Sequence, residues 1–234
     1  MSTLPAGKSA PSGKKVAFFD VDETLITEKS MFTFMQYHYS RRYHISGKIR
    51  YLVFIFWIKF LARLGTSREA VNRIYYRTYR GTSIHHLDKL GREWFAERSK
   101  RPGFFISDIT TELKGLQQSG YLVALVSGSF RPCLEPIAEQ LNADFVLCTE
   151  LENNEGTLSG RVLQQTIGKG KSRVVQELLR KLDANADDCT AYGDHISDLP
   201  MLELVGRPVV VGRRCSKLVS LAEQRGWAIR RVHA

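Results

Sequence analysis

AFFDVDETLIT, residues 17–27, runs an apolar segment straight into two carboxylates, Asp20 and Asp22, only two residues apart. Like charges at that spacing repel, and neither group strengthens a core. A chain that keeps them there needs something to offset the repulsion, supplied by groups elsewhere in the sequence that meet them.

Val16 to Asp20 has the length and composition of a short buried strand. From about residue 103 onward, helical and strand-like patterns alternate. A helix near 106–119 is stopped by Gly120, and YLVALV (121–126) follows as a strand. A helix near 132–141 leads to DFVLCT, and LENNEGTLSGRVLQ reads as a hairpin turning at Asn-Glu-Gly. Then come a helix at 170–182, a strand in DDCTAYGD, a helix near 197–205, the strand PVVVG, a helix near 215–225 and a last strand at 227–231. Such alternation predicts an α/β fold: a Rossmann-like parallel sheet flanked by helices.

Between strand one and strand two the period is helical, with Gly47, Gly65 and Gly81 as punctuation. The reading is a flexible tail at 1–15, a catalytic core of 16–29 plus 103–234, and an all-helical cap domain, 30–102, inserted after the first strand. Charge supports a separate surface for the insert: residues 40–101 hold 15 Lys/Arg against 4 Asp/Glu, and the rest of the chain is about neutral. Within it YLVFIFWI, 51–58, is too short before Lys59 to span a bilayer and is expected as a buried helix.

Three strands end in polar residues: the first at Asp20, the second at Ser127-Gly128, and CTAYG at Asp194. In an open parallel sheet these ends share one edge, where ligands bind. The carboxylates therefore face a common pocket. A divalent hard cation would cancel their repulsion, and Mg²⁺ takes only a few protein oxygens. One carboxylate then serves as nucleophile while its neighbour moves a proton. Lys171 would balance a phosphoryl group, with Ser127 and the Gly128 N–H on its oxygens.

Asp20-x-Asp22-x-Thr24, Ser127-Gly128-Ser129, Lys171 and Gly193-Asp194-x-x-x-Asp198 together resemble, in order, the four motifs of the haloacid dehalogenase superfamily of phosphatases. The place of the insertion resembles the subgroup that contains phosphoserine phosphatase. The resemblance implies that Asp20 becomes an aspartyl-phosphate and that Asp22 is the acid and then the base. Thr24, Ser127, Gly128 and Lys171 form the substrate-binding set, Thr24 by steadying the loop. Mg²⁺ is implied on Asp20, the Asp22 backbone carbonyl and Asp194, with Asp198 beside them. The carboxylate of Asp22 argues against dehalogenase chemistry.

Three positions depart from that pattern: Lys29 stands where phosphoserine phosphatases carry a glutamate, Ser129 where glycine is common, and Ser197 where asparagine is common. Lysine repels the ammonium of phosphoserine, which ranks L-phosphoserine below other small-metabolite phosphate monoesters unless the adjacent Glu28 takes the role. A phosphotransferase or mutase of the same fold, and a non-catalytic protein using the basic aromatic cap, are the alternatives.

The first fifteen residues lack an apolar leader and the four cysteines are scattered, so a reduced, cytoplasmic setting is expected. AGKS and GKGKS each lack the first glycine of a phosphate loop, with Ser2 and Gln165 in its place. No nucleic-acid motif accompanies the basic region, so the expected partner is a phosphorylated small molecule. The cap's charge would steer it in, or would touch a membrane or an acidic carrier protein.

Overall fold

A computed structural model describes residues 13–212 and 217–232. Residues 1–12 of the expected tail, and residues 215 and 216 of the last expected helix, lie outside the described residues.

Six strands form one sheet: β1 (Val16–Phe19), β2 (Leu122–Ser127), β3 (Phe145–Cys148), β6 (Thr190–Gly193), β7 (Arg207–Gly212) and β8 (Ala228–Arg231). Their order is β3-β2-β1-β6-β7-β8, and every pairing is parallel. Strand order reverses between β1 and β6, which opens a crevice beyond their carboxyl ends. Strand geometry sends alternate residues to opposite faces. Ala17, Phe19, Val123 and Leu125 enter one apolar cluster, whereas Val16, Phe18, Ala124 and Val126 enter the other. Both faces are therefore covered, as the near-continuous apolar strands require.

The crossover helices are α5 (Ser107–Gln118), α6 (Arg131–Leu141), α7 (Lys169–Leu182) and α9 (Lys217–Arg225). The hairpin is β4 (Glu150–Asn154) with β5 (Thr157–Gln164), joined by Glu155 and Gly156, whose φ values of 49° and 80° suit a tight two-residue turn. The helix expected near 197–205 is shorter. It is a 3₁₀ turn, Ile196–Asp198, running into α8 (Leu199–Leu202). Asp198 accepts from the His195 N–H while His195 Nδ1 accepts from the Ser197 N–H, and this tight reciprocal cap draws in the first turn.

Four helices stand between β1 and β2: α1 (Ser30–Tyr43), α2 (Ile45–Arg63), α3 (Arg68–Arg77) and α4 (Ile84–Arg98). They share one apolar cluster with the sheet, in which Phe34, Tyr75, Tyr79 and Trp94 join Phe19, Val123 and Phe130. Gly91 of α4 lies so close to α6 that a Cβ there would sit 1.8 Å from the Pro132 carbonyl oxygen.

The expectation of a buried α2 is overturned. Only Gly47, Phe54 and Ile58 are buried, while Ile45, Ile49, Leu52, Val53, Phe56, Trp57, Phe60 and Leu64 are exposed. An apolar run alone does not say which flank meets a neighbour, and here the packing partners cover one flank only.

Candidate active site

Asp20 follows β1 directly, and its N–H donates to the Tyr192 carbonyl at 2.9 Å, so the β1–β6 ladder fixes its backbone. Asp194 and Asp198 follow β6, and Lys171 lies in the first turn of α7. Carboxylate oxygens of Asp20, Asp194 and Asp198 all lie within 4.8 Å of one another. Lys171 Nζ donates to Asp20 Oδ1 and, at 2.8 Å, to Asp198 Oδ1. Asp20, Asp198 and Lys171 are buried. Gly193 makes this crowding feasible, because a Cβ there would fall 2.7 Å from the Asp198 Cβ.

The electrostatics follow from three acids and one cation in a poorly solvated space. Burial lifts Asp20 well above the usual carboxylate range; Lys171 opposes that, and Asp198 and Asp194 add to it. Asp194 is pushed up to about 7 by burial first and then by Asp198. Burial disfavours the Lys171 ammonium, but Asp198 and Asp20 outweigh it and hold the group above its ordinary value. Hard oxygens with surplus negative charge fit a divalent cation of the Mg²⁺ kind. Asp198 has both oxygens engaged, Oδ1 by Lys171 and Oδ2 by the His195 N–H, so it is bound as an organiser of the cluster.

Asp22 is set apart from these three. Its Oδ1 accepts from the Ser30 N–H at 3.1 Å, at the first residue of α1, where the helix end favours negative charge. Burial pushes Asp22 up to about 6, and the Ser30 hydrogen bonds hold it from rising further.

Ser127 ends β2 and accepts from the Ser129 N–H at 3.1 Å. The Gly128 carbonyl receives three donors: Tyr76 Oη and Thr149 Oγ1 at 2.9 Å, and Asn72 Nδ2 at 3.1 Å. A Cβ on Gly128 would lie 2.6 Å from Ile167 Cγ1, so this loop needs glycine for room. The Ser30 hydroxyl donates to the Ser129 hydroxyl at 3.0 Å, which ties the loop after β2 to the start of α1.

A small cavity of about 90 Å³ gathers these groups. Asp20, Asp22, Ser127, Gly128, Lys171, Asp194 and Asp198 all line it. Thr24 does not. It is fully buried, and its Oγ1 reaches Asp194 Oδ1 at 3.5 Å, so it stands behind the cavity wall rather than in it. The residue is small and turned inward beneath the loop, where it braces Asp194.

Sequence reasoning missed the walls contributed by the inserted helices. Met31 and Arg68 line the cavity, beside Glu23, Lys29, His195 and Ser197, and Lys29 pairs with Glu23 at 3.1 Å. Arg68 donates to His195 Nδ1 at 2.5 Å and to Ser197 Oγ at 3.4 Å. Glu28 is not among the lining residues; its carboxylate pairs with Arg98 at 3.1 Å. Asn72 and Tyr76 carry no motif, and only their meeting with Gly128 in space marks them.

The profile described as haloacid dehalogenase-like hydrolase matches residues 17–203. The chain is 32% identical over 220 residues to phosphoserine phosphatase SerB1 of Mycobacterium tuberculosis, covering 92% of this chain and 70% of that protein. A probable phosphatase of the same organism is 29% identical over 243 residues, covering 95% of this chain and 77% of its own. A crystal structure of a protein of unknown function from Bordetella pertussis Tohama I superposes with a TM-score of 0.81 at 22% identity, over 95% of this chain and all of that one.

The chain belongs to the haloacid dehalogenase-like hydrolase family. Within it, this is an enzyme of the phosphatase kind, a phosphoric monoester hydrolase.

Proposed function

We propose that this enzyme hydrolyses a phosphate monoester of a small metabolite by way of an aspartyl-phosphate on Asp20, with Mg²⁺ as the resident cation. The observation that carries the reading is the convergence of Asp20, Asp194, Asp198 and Lys171 at the strand-order reversal, with Asp22 held separately at the start of α1.

In this reading Asp20 and Asp194 hold the cation, together with the Asp22 backbone carbonyl, and Asp198 orients the cluster. When bound, the cation supplies charge that balances the phosphoryl oxygens and lets Asp20 approach as an anion. A carboxylate oxygen of Asp20 attacks phosphorus and the ester P–O bond breaks. The leaving alkoxide takes a proton from Asp22, whose pKa of about 6 keeps both protonation states within reach near neutrality. The Asp22 carboxylate then takes a proton from water as that water attacks phosphorus. The P–O bond to Asp20 breaks, which frees phosphate and restores the carboxylate. Ser127, the loop N–H groups and Lys171 hold the phosphoryl oxygens throughout.

Arg68 and Lys29 bring two positive charges to the mouth against one carboxylate, Glu23, which pairs with Lys29 at 3.1 Å. That favours an alcohol portion without an ammonium group, and Glu28 is engaged elsewhere by Arg98. L-phosphoserine is therefore expected to be a poor substrate here.

The test is phosphate release across a panel of phosphorylated metabolites, with Mg²⁺ and with a chelator. Asp20→Asn should lower turnover by on the order of a thousandfold or more while leaving the circular dichroism spectrum unchanged. Undiminished hydrolysis by that variant, or by the chelated enzyme, would sink the reading; transfer of the phosphoryl group to a second alcohol would mark a phosphotransferase instead.

A further inference from the structure

We propose that the exposed flank of α2 docks on an anionic phospholipid surface, with the helix lying in the plane of the interface.

Helix α2 has 19 residues, about 28 Å at 1.5 Å per residue. Its buried side is carried by Gly47, Phe54 and Ile58. The opposite side is apolar and open: Ile45 is 90% exposed, Phe56 74%, Leu64 67% and Trp57 45%. At 100° per residue the exposed apolar positions fall in a stripe about 140° wide. Lys48 and Lys59 lie along one border of it, Arg50 along the other, and Arg63 near its end. All four are exposed.

That layout suits an interface between hydrocarbon and headgroups. Apolar side chains enter the acyl boundary, and long cationic side chains at the borders reach the phosphates. Charge decides among occupants. From Lys29 to Arg68 the chain carries eight Lys/Arg and not one Asp or Glu. A second copy of this chain, meeting the stripe across a twofold axis, would set those cationic borders against each other. An acidic protein would match the cations but leave the broad aliphatic and aromatic stripe without a partner of its own kind. An anionic bilayer satisfies both halves. No described helix is long and apolar enough to cross a membrane, so α2 rests on the surface.

The surface is also joined to the site. Four residues past Leu64, Arg68 lines the cavity and contacts His195. A lipid-bound α2 would hold that mouth next to the headgroup layer. The proposal does not depend on the chemistry proposed above, because binding is read without turnover.

The experiment is vesicle co-sedimentation of the full chain at low and high salt, using phosphatidylcholine alone and phosphatidylcholine mixed with phosphatidylglycerol. Binding should be roughly tenfold or more tighter on the anionic vesicles and should weaken with salt. Trp57 fluorescence should shift to the blue on binding. Phe56→Ser with Phe60→Ser should weaken binding by about tenfold or more, and Lys48→Glu with Lys59→Glu should remove the anionic preference. The circular dichroism spectrum and melting temperature should be unchanged in both variants, which reports their folding. Absence of binding, equal binding to neutral vesicles, or undiminished binding by the folded Phe56/Phe60 variant would overturn the proposal. So would a dimer in solution that the Phe56/Phe60 change dissolves, since a second copy would then be the occupant.

Discussion

Lys171 sits among three buried or half-buried carboxylates and donates to two of them, Asp20 and Asp198. Removing a cation from such a cluster leaves uncompensated charge in a poorly solvated space. Lys171→Met should therefore cost about 3 kcal/mol of stability in chelator. Added Mg²⁺ should raise the melting temperature of the variant more than that of the wild type, a difference that differential scanning fluorimetry reads directly. Lys29→Glu addresses selectivity at the same scale. It breaks the pair between Lys29 and Glu23 and leaves two carboxylates at the mouth to attract an ammonium, and should raise kcat/KM for L-phosphoserine relative to uncharged alcohol phosphates by roughly tenfold. His38 offers a test away from the site. It is buried with both ring nitrogens lacking a hydrogen-bond partner among the described residues. Burial first, then Arg42 and His86, lower its pKa to about 4. The unfolded chain binds the proton at about 6.5, so between these values the unfolded state holds more protons than the folded one. Stability is fully present above about pH 6.5 and falls as the pH drops toward 4. By pH 5 the loss is about 2 kcal/mol, and His38→Phe should remove that acid sensitivity in urea titrations.

At the scale of elements, close approach sets the sharpest constraint. Gly91 on α4 leaves no room beside Pro132 of α6. Gly91→Ala should destabilise by about 2 kcal/mol through forced separation of the two helices, whereas Arg92→Ala nearby, losing an exposed pair with Glu139, should cost under about 1 kcal/mol. Thermal melts of the two variants provide the comparison. The elements also show what a linear chain can and cannot announce. Strand ends carrying Asp20, Ser127 and Asp194 were readable because a parallel sheet brings its carboxyl ends to one edge whatever the loops do. The hairpin was readable from Asn-Glu-Gly. The orientation of the four inserted helices was not, because a 3.6-residue period gives each helix a face without saying what meets it. For that reason Arg68, Asn72 and Tyr76 escaped notice, and the run at 51–58 was expected to be buried when half of it faces outward.

Across the whole molecule, the inserted helices and one face of the sheet are held by the same aromatic packing. Phe130, two residues past Gly128, meets Phe34 at 5.6 Å, Tyr76 at 5.3 Å and Tyr79 at 5.4 Å between ring centroids. The loop of residues 127–129 is thereby wedged between helices that the chain visits before it ever forms β2. Calorimetry should accordingly give a single endotherm, with equal calorimetric and van't Hoff enthalpies, and two resolved transitions would contradict this account. The insert is then no interchangeable attachment. Transplanting a relative's helices onto this sheet would strip Phe130 of its neighbours and slacken the loop that carries Ser127 and Gly128, so altered selectivity is better sought by changing single side chains at the cavity mouth than by exchanging the block.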